Sequence, residues 1–314
     1  MAHSVKNEWI GFFRDIGYAK AALLGQGMEG VVYKLDADLV GKVWHSRQLE
    51  TLRPLRDFYA ELAGQRLPFN TPEIVAMHDK DGVAVTVERH LTGQPLRDKL
   101  DSGEISVPAA LDATVSVVAA LRGTTAGAAA RGMAVLDEAR PLWEGCETWP
   151  AALAGLVQRR AERFADVLRR SVTEFDRKLD SVLSLLHSLP DVEPQFVHGD
   201  ICPENILVDS SGAPTALLDW GFFTTAGDNS FEASCAAGFF DMYGPDARSV
   251  DDTLVRRFAD ELGHPVELQL LYRAAYAIAG ANSYGADGAD GHFMWCAAAL
   301  NRDDVTERLL TAAV

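Results

Sequence analysis

The run QFVHGDICPENILVD (195–209) and the next, SSGAPTALLDWG, place Asp200, Asn205 and Asp219 at successive bends. Carboxylates and amides at bends either form turns or converge on one cation. Asp200 and Asn205 are separated by four residues, the pattern H-x-D-x-x-x-x-N. Asp219 lies fourteen residues beyond Asn205, after a strand pair turning at Asp209-Ser210-Ser211-Gly212. A hairpin folds its ends together, so Asn205 and Asp219 are expected to meet. A hard Mg²⁺ ion takes a few oxygen ligands and fills the rest with water and phosphate. Asn205 and Asp219 can supply two. Asp200, at the first bend, is left to orient and deprotonate an acceptor hydroxyl.

A second constellation lies near the N-terminus. GQGMEGVV (25–32) reads G-x-G-x-x-G-x-V, in which Gly25, Gly27 and Gly30 let the backbone turn tightly and approach phosphate oxygens. The run sits between two strand-like segments rather than opening a helix, which suits a loop covering phosphates better than a dinucleotide fingerprint. A plain glycine hairpin is the other reading. Lys42 follows twelve residues after Gly30 in LVGKVW, where a strand lysine can reach α- and β-phosphates. Such a lysine needs a carboxylate partner. Asp57 and Glu61 lie one turn apart on the helical segment that follows, and either can serve; both can equally be solvated helix charges.

These residues need elements to hold them. The first ninety residues read as strands around one helix. SRQLETLRPLRDFYAELAGQR (46–66) has helical spacing, with Pro54 confining its firm part to positions at or after the proline. EIVAMHD and GVAVTVERHL form a strand pair across Lys80-Asp81-Gly82. TGQP (92–95) is a joint. Beyond it the pattern is helical, with an amphipathic helix pair over 152–189, then the hairpin segment, then helices broken by glycine-rich turns. The expected architecture is α+β and two-lobed: a small β-rich N-terminal lobe (1–93) and a larger, mostly helical C-terminal lobe (94–314).

Composition narrows the partners. The chain has 314 residues, 48% of them hydrophobic, enough for one large domain or two lobes. Its net charge of −16 argues against nucleic-acid backbone binding as the main task. No apolar run approaches the ~20 residues of a membrane helix. The N-terminus carries no basic region followed by an apolar stretch. Cys146, Cys202, Cys235 and Cys296 are scattered and form no C-x-x-C pair. A soluble cytoplasmic protein with reduced thiols is expected.

Taken in order, GQGMEGVV, Lys42, HGDICPEN and DWG resemble the aminoglycoside phosphotransferase family of the protein-kinase-like superfamily. AGDNSFEAS (226–234) is similar to the family's stretch after the metal aspartate. The resemblance implies a two-lobed, Mg²⁺-dependent kinase using ATP or GTP on a small molecule. It implies Asp200 as catalytic aspartate, Asn205 and Asp219 as Mg²⁺ ligands, and Lys42 as phosphate ligand. The lysine-pairing acid falls near Asp57, where the family usually carries the longer glutamate. His198 is expected to brace the loop. The nucleotide base is expected against the joint near Val87–Leu91, a stretch that includes Glu88 and His90. DWG carries Trp220 at its middle position, a packing change. No A-P-E motif follows Asp219, which speaks against a protein kinase, and the retained Lys42, Asp200 and Asp219 speak against a nucleotide-binding pseudokinase.

The acceptor is the least constrained partner. From Gly221 to Val314 the chain carries fourteen Asp and Glu against six Arg and no Lys. A cleft lined by one sign of charge concentrates ligands of the other. A cationic acceptor is therefore expected, such as an amine-bearing antibiotic or amino sugar, with Asp287 and Asp290 beside GHFMW as candidate contacts. Acids that merely solvate helices are the alternative.

Overall fold

The computed structural model describes residues 2–27 and 30–311, and the side chains from residue 8 onward within them. The tip of the glycine loop, Met28-Glu29, lies outside the described residues. After helix α1 (Ala2–Asp15) come strands β1 (Ala22–Gln26), β2 (Gly30–Lys34) and β3 (Leu39–Trp44), helix α2 (Leu49–Ala63), and strands β4 (Ile74–Lys80) and β5 (Val83–Arg89). The strands form one antiparallel sheet ordered β1-β2-β3-β5-β4. The β4–β5 pair forms across the expected Lys80-Asp81-Gly82 stretch, but Lys80 belongs to β4, so Asp81 and Gly82, both at positive φ (55° and 81°), close it as a two-residue turn.

Two expectations need correction here. The first ninety residues hold two helices, not one. α1 lies on the outer face of the sheet and buries Phe13 against Tyr33, their rings 5.2 Å apart, within a small core that includes Val43, Val85 and Val87. Glu8 on α1 accepts from Lys80 at 2.8 Å. The second concerns Pro54. α2 starts at Leu49, five residues before the proline. A proline this near the N-terminus removes only one interior hydrogen bond, while burial of Leu52, Leu55, Phe58, Tyr59 and Leu62 holds the helix in place.

The chain leaves this sheet between β5 and β6 (Gln94–Pro95), which pairs with a different sheet. Helices α3 (Leu96–Asp101), α4 (Val107–Arg122), α5 (Ala128–Arg131), α6 (Trp149–Ser171) and α7 (Phe175–Ser188) follow. Then come β7 (Gln195–Val197), β8 (Ile206–Val208), β9 (Pro214–Leu217) and β10 (Thr225–Gly227). β8 pairs with both β6 and β9, while β7 pairs with β10. Helices α8 (Asn229–Phe239), α9 (Ala247–Leu262), α10 (Val266–Gly280), α11 (Gly291–Leu300) and α12 (Asp303–Leu310) complete the chain.

The larger hydrophobic core is not confined to the helices. It takes in Trp44, α2, Ile74 and Ala84 from the inner face of the first sheet. Phe58 of α2 stands 5.5 Å from both Phe196 and Trp220, ring centroid to centroid. One aromatic contact therefore ties α2 to the segment that carries Asp200 and Asp219. Among the described residues no helix is long and apolar enough to cross a membrane.

Candidate active site

β7 delivers the chain into the His198–Asn205 loop, whose first bend is held by side chains and whose Cys202–Asn205 turn is closed by the Asn205 N–H donating to the Cys202 carbonyl at 3.0 Å. The His198 ring is fully buried. Its Nε2 faces the Leu218 carbonyl at 2.7 Å, and its Nδ1 accepts from the Asp200 N–H at 3.1 Å. That pairing needs the neutral tautomer with the proton on Nε2. Burial pushes the ring's pKa down to about 4, so it stays neutral. His198 thus braces the loop, as expected. Trp220 is buried beside it, ring centroids 4.5 Å apart, and donates from Nε1 to the Leu217 carbonyl at 3.0 Å.

Gly199 has φ +73°, and a Cβ there would sit 2.5 Å from the Phe223 Cβ. The loop therefore needs glycine at this position on both conformational and steric grounds. Glu232, fully buried on α8, accepts from the backbone N–H of His198 and from that of Gly199 at 3.1 Å. Burial pushes the Glu232 carboxyl up to about 8, against the pull of those two donors. Spacing rules do not reach Glu232. The signal in the sequence is one carboxylate inside an otherwise small and apolar helix, SFEASCAAGFF, where a charge is kept only if it holds something.

The β8–β9 hairpin brings the next two residues together as expected. Ile206 pairs with Leu217, and the Leu218 N–H donates to the Asn205 carbonyl at 2.8 Å, so Asn205 and Asp219 flank the open end of one ladder. Asn205 donates from Nδ2 to the Asp200 carbonyl at 2.9 Å. Its amide oxygen is the atom left for a cation. Asp219 is exposed, in the left-handed region at φ +60°. The Asp200 carboxyl is pushed up to about 7, first by burial and then by the negative charge of Asp219. Two carboxylates that repel across one cavity, beside an amide oxygen, fit a small hard cation. Among the described residues no group of three or more His, Cys, Asp or Glu side chains converges.

The nucleotide-facing expectations divide. A Cβ on Gly30 would lie 2.3 Å from the Val43 carbonyl oxygen, so that glycine lets β2 approach β3. Gly25 and Gly27 have no atom within 4 Å of such a Cβ. Nothing described in the fold requires glycine there. Lys42 lies on β3 opposite Thr86, its Nζ 3.7 Å from the Trp44 ring centroid. Thr86 accepts from Trp44 Nε1 at 3.0 Å and donates to Glu88 at 2.5 Å. The Glu88 side chain thus belongs to this inner-face chain of contacts. The His90 N–H donates to the Asp38 carbonyl at 2.8 Å, tying the joint to the β2–β3 turn.

Both candidate acids of α2 have partners other than Lys42 among the described residues. Asp57 is exposed and pairs with its neighbour Arg56 at 2.8 Å. Glu61 accepts from the backbone N–H groups of Gly127 and Ala129, at 2.7 and 2.9 Å, and so caps α5. One turn of helix separates the two acids, and it is enough to send one to solvent and one to a helix terminus.

Two cavities meet at Asp200. One, of about 210 Å³, is lined by Arg47, Leu136, Asp219, Trp220 and Gly221. The other, of about 690 Å³, is lined by rings from Phe239, Tyr243, Tyr276 and His292 and by the acids Glu204, Asp241 and Asp290. Asp200, Phe222 and Tyr284 line both. Of the acidic pair expected beside GHFMW, Asp290 lines the large cavity and Asp287 does not; Asp287 accepts from Ala289 N–H at 3.2 Å within its own turn. Several other acids of the tail are engaged in ion pairs: Asp251 with Arg273 and Arg302, Asp252 with Arg248, and Glu261 with Arg257. The tail's net charge therefore overstates what the cavity presents.

Comparison with known proteins matches this geometry. The model of the phosphotransferase enzyme family matches residues 20–269. The GDP complex of an aminoglycoside 2′-phosphotransferase-IIIa variant superposes with a TM-score of 0.62 at 17% identity, covering 98% of this chain and 100% of that one. A macrolide 2′-phosphotransferase from Brachybacterium faecium gives 0.59 at 18% identity, covering 94% of this chain and 98% of its own. The streptomycin–ATP complex of APH(2″)-IIa gives 0.56 at 12% identity, with 96% and 97% covered. None of the curated proteins matches the sequence. The fold is the two-lobed, protein-kinase-like α+β architecture of these enzymes. With four-fifths of its length matched by the family model, the chain belongs to the phosphotransferase enzyme family.

Proposed function

We propose that the protein transfers the γ-phosphoryl group of ATP or GTP to a hydroxyl of a cationic small molecule. The observation that carries this reading is the place of Asp200, in the wall shared by a small acidic cavity and a large aromatic one. A nucleotide whose phosphates reach the small cavity and an acceptor held in the large one would meet at that carboxylate. Asp200 is the catalytic base: it orients the acceptor hydroxyl and takes its proton as the oxygen–phosphorus bond forms. Its raised pKa suits that task near neutral pH. Asn205 and Asp219 would hold Mg²⁺, which when bound neutralises phosphate charge. Lys42 would contact the α- and β-phosphates. Gly25 and Gly27 would let the loop backbone close over them, and the base would lie at the joint near Glu88 and His90.

The acceptor reading rests on the large cavity. Carboxylates of Asp241 and Asp290 stand among aromatic rings, with Glu204 paired to Arg97 at 3.0 Å in the same wall, and Phe222 and Tyr284 stack at 5.8 Å with planes 10° apart. Such a wall suits an amine-bearing sugar that presents one apolar face. Aminoglycosides and the amino sugars of macrolides both qualify, and the folds most similar to this one include enzymes named for each. The test is nucleoside diphosphate release with Mg-ATP and Mg-GTP across kanamycin, streptomycin, erythromycin and neutral sugars, repeated from low to high salt. The expected result is turnover with a cationic acceptor that weakens as salt screens the wall. Preference for neutral sugars, with no salt effect, would overturn the cationic acceptor while leaving phosphotransfer in place.

A further inference from the structure

A ten-residue excursion between α5 and α6 reaches the small cavity and has no role in the scheme above. Met133 and Leu142 close it, with the Leu142 N–H donating to the Met133 carbonyl at 3.1 Å, and Ala134 bridges Pro141. Its tip is Val135–Glu138, where the Glu138 N–H donates to the Val135 carbonyl at 3.1 Å. At that tip the backbone N–H of Leu136 donates to the Phe222 carbonyl at 2.7 Å, which joins it to the segment just after Asp219. Leu136, which is partly buried against the larger core, lines the small cavity together with Asp200, Asp219 and Arg47.

Two features show that this placement is enforced. Leu136 has φ +56°, and it is the only aliphatic residue with positive φ among the described residues. A bulky side chain in the left-handed region is strained unless its surroundings over-determine it, and such strain gathers at functional sites. The two residues that follow are anchored to α6. Asp137 bridges Arg160, which is fully buried, and Arg163 at 2.9 Å. Glu138 pairs with Arg159 at 3.0 Å. Burial alone would raise the Asp137 carboxyl, but the two guanidinium groups outweigh it and hold the carboxyl below its usual range. The anchor holds the tip where Leu136 lines the cavity. A hairpin needing only a turn residue at this point would carry Gly or Asn.

We propose that Leu136 is a positioning residue that keeps water away from the phosphoryl group, so that transfer to the acceptor prevails over hydrolysis. The inference rests on the phosphotransfer reading. In transfer, the acceptor oxygen–phosphorus bond forms and the bond from γ-phosphorus to the bridging oxygen breaks. The electron pair leaves on the nucleoside diphosphate, and the hydroxyl proton passes to Asp200. In hydrolysis a water oxygen replaces the acceptor oxygen in the same exchange. An apolar side chain beside Asp200 and Asp219 gives a water in that place no hydrogen-bond partner on one side, and exclusion of water is how closed sites suppress this side reaction.

The test needs no acceptor. Phosphate release from Mg-ATP and Mg-GTP is measured for the wild-type protein, Leu136→Gly and Leu136→Met. Glycine adopts the left-handed backbone without strain, which offsets part of the packing that Leu136 makes against the larger core and of the added freedom of the unfolded chain, so Leu136→Gly should fold with at most a modestly lower melting temperature. Its acceptor-free phosphate release should rise roughly tenfold, while Leu136→Met, which keeps the apolar bulk, should stay near wild type. Equal release from Leu136→Gly and wild type overturns the proposal, and so does a rise in Leu136→Met as large as in the glycine variant. Calorimetry separates the parent reading: a wild-type protein that binds neither nucleotide overturns both, whereas binding with unchanged hydrolysis overturns only the role of Leu136.

Discussion

The catalytic loop and the glycine loop would face the same phosphates, yet they are built in opposite ways. In the loop from His198 to Asn205 each backbone bend is engaged: His198 bridges Leu218 and Asp200, Glu232 holds two successive N–H groups, and Phe223 leaves room only for glycine at 199. In the glycine loop the space around Gly25 and Gly27 is open. The first is held by side chains packed around it; in the second, Gly25 pairs with Val32 and the Gly27 N–H donates to the Gly30 carbonyl at 2.9 Å, but no side chain packs against either glycine among the described residues. Preorganised groups cost nothing to align at the moment of reaction, and adaptable ones can close and open around a donor. The contrast agrees with the proposal that chemistry belongs to the first region and nucleotide capture to the second.

The largest effect should come from removing the proposed base. Asp200→Asn should lower transfer by ~10²–10⁴-fold and leave nucleotide affinity nearly unchanged, as read by single-turnover kinetics beside calorimetry. Turnover near wild type would move the chemistry elsewhere. Asp219→Ala comes next. It removes the charged member of the proposed Mg²⁺ site, so Mg²⁺-dependent nucleotide binding and activity should fall together. Asn205→Ala should be milder, since water can replace a neutral ligand. Titrating Mg²⁺ against both variants ranks them, and an unchanged Mg²⁺ dependence in Asp219→Ala would remove it from the metal site.

Paired glycine substitutions test the contrast itself. Gly199→Ala puts a methyl group 2.5 Å from the Phe223 Cβ at a φ of +73°. It should cost about 1–3 kcal/mol in stability and lower kcat by shifting Asp200. Gly27→Ala meets no neighbour and should leave stability within about 0.5 kcal/mol, yet raise the nucleotide KM. Denaturant unfolding beside steady-state kinetics separates the two. If Gly27→Ala is as destabilising as Gly199→Ala, the open and the engaged loop are not different in kind.

Glu232 gives the engaged region a pH signature. Its folded-state pKa is raised to about 8, above the ordinary glutamate value of 4.5. Between those values the native state holds the extra proton, so the group's contribution is fully present at low pH and is lost as pH rises through about 8. The slope is at most about 1.4 kcal/mol per pH unit. Glu232→Gln keeps an acceptor for the loop and should flatten that slope. An identical pH–stability curve in the variant would show that Glu232 is charged throughout.

Legibility in the sequence follows the same division. Asp200, Asn205 and Asp219 can be read from spacing because a hairpin of fixed length converts separation along the chain into proximity. The turn across Lys80-Asp81-Gly82 is legible for a similar reason. α1 is harder to read because its role lies in what Phe13 packs against, not in its own pattern. Glu232, Leu136 and the aromatic cavity wall come from segments far apart in the chain, which only the packed core brings to Asp200.

The α2 acids show how small a difference defeats spacing. Asp57 and Glu61 share a helical face in projection, so the lysine partner can be sought in either. In the fold, Asp57 reaches only Arg56, both side chains about half exposed, while Glu61 holds the first amides of α5. An exposed pair of this kind contributes about 0–1 kcal/mol, so Asp57→Ala should leave stability and nucleotide KM almost unmoved. Glu61→Ala removes a cap and should cost about 0.5–2 kcal/mol, with KM moving little because the carboxylate is engaged by the α5 amides. A steep rise in KM for Asp57→Ala, with no loss of stability, would return it to the lysine and mean that α2 rotates when nucleotide binds. That is the adaptable region behaving as the open glycine loop suggests, so this pair asks how far the ligand-organised part of the molecule extends beyond the loop.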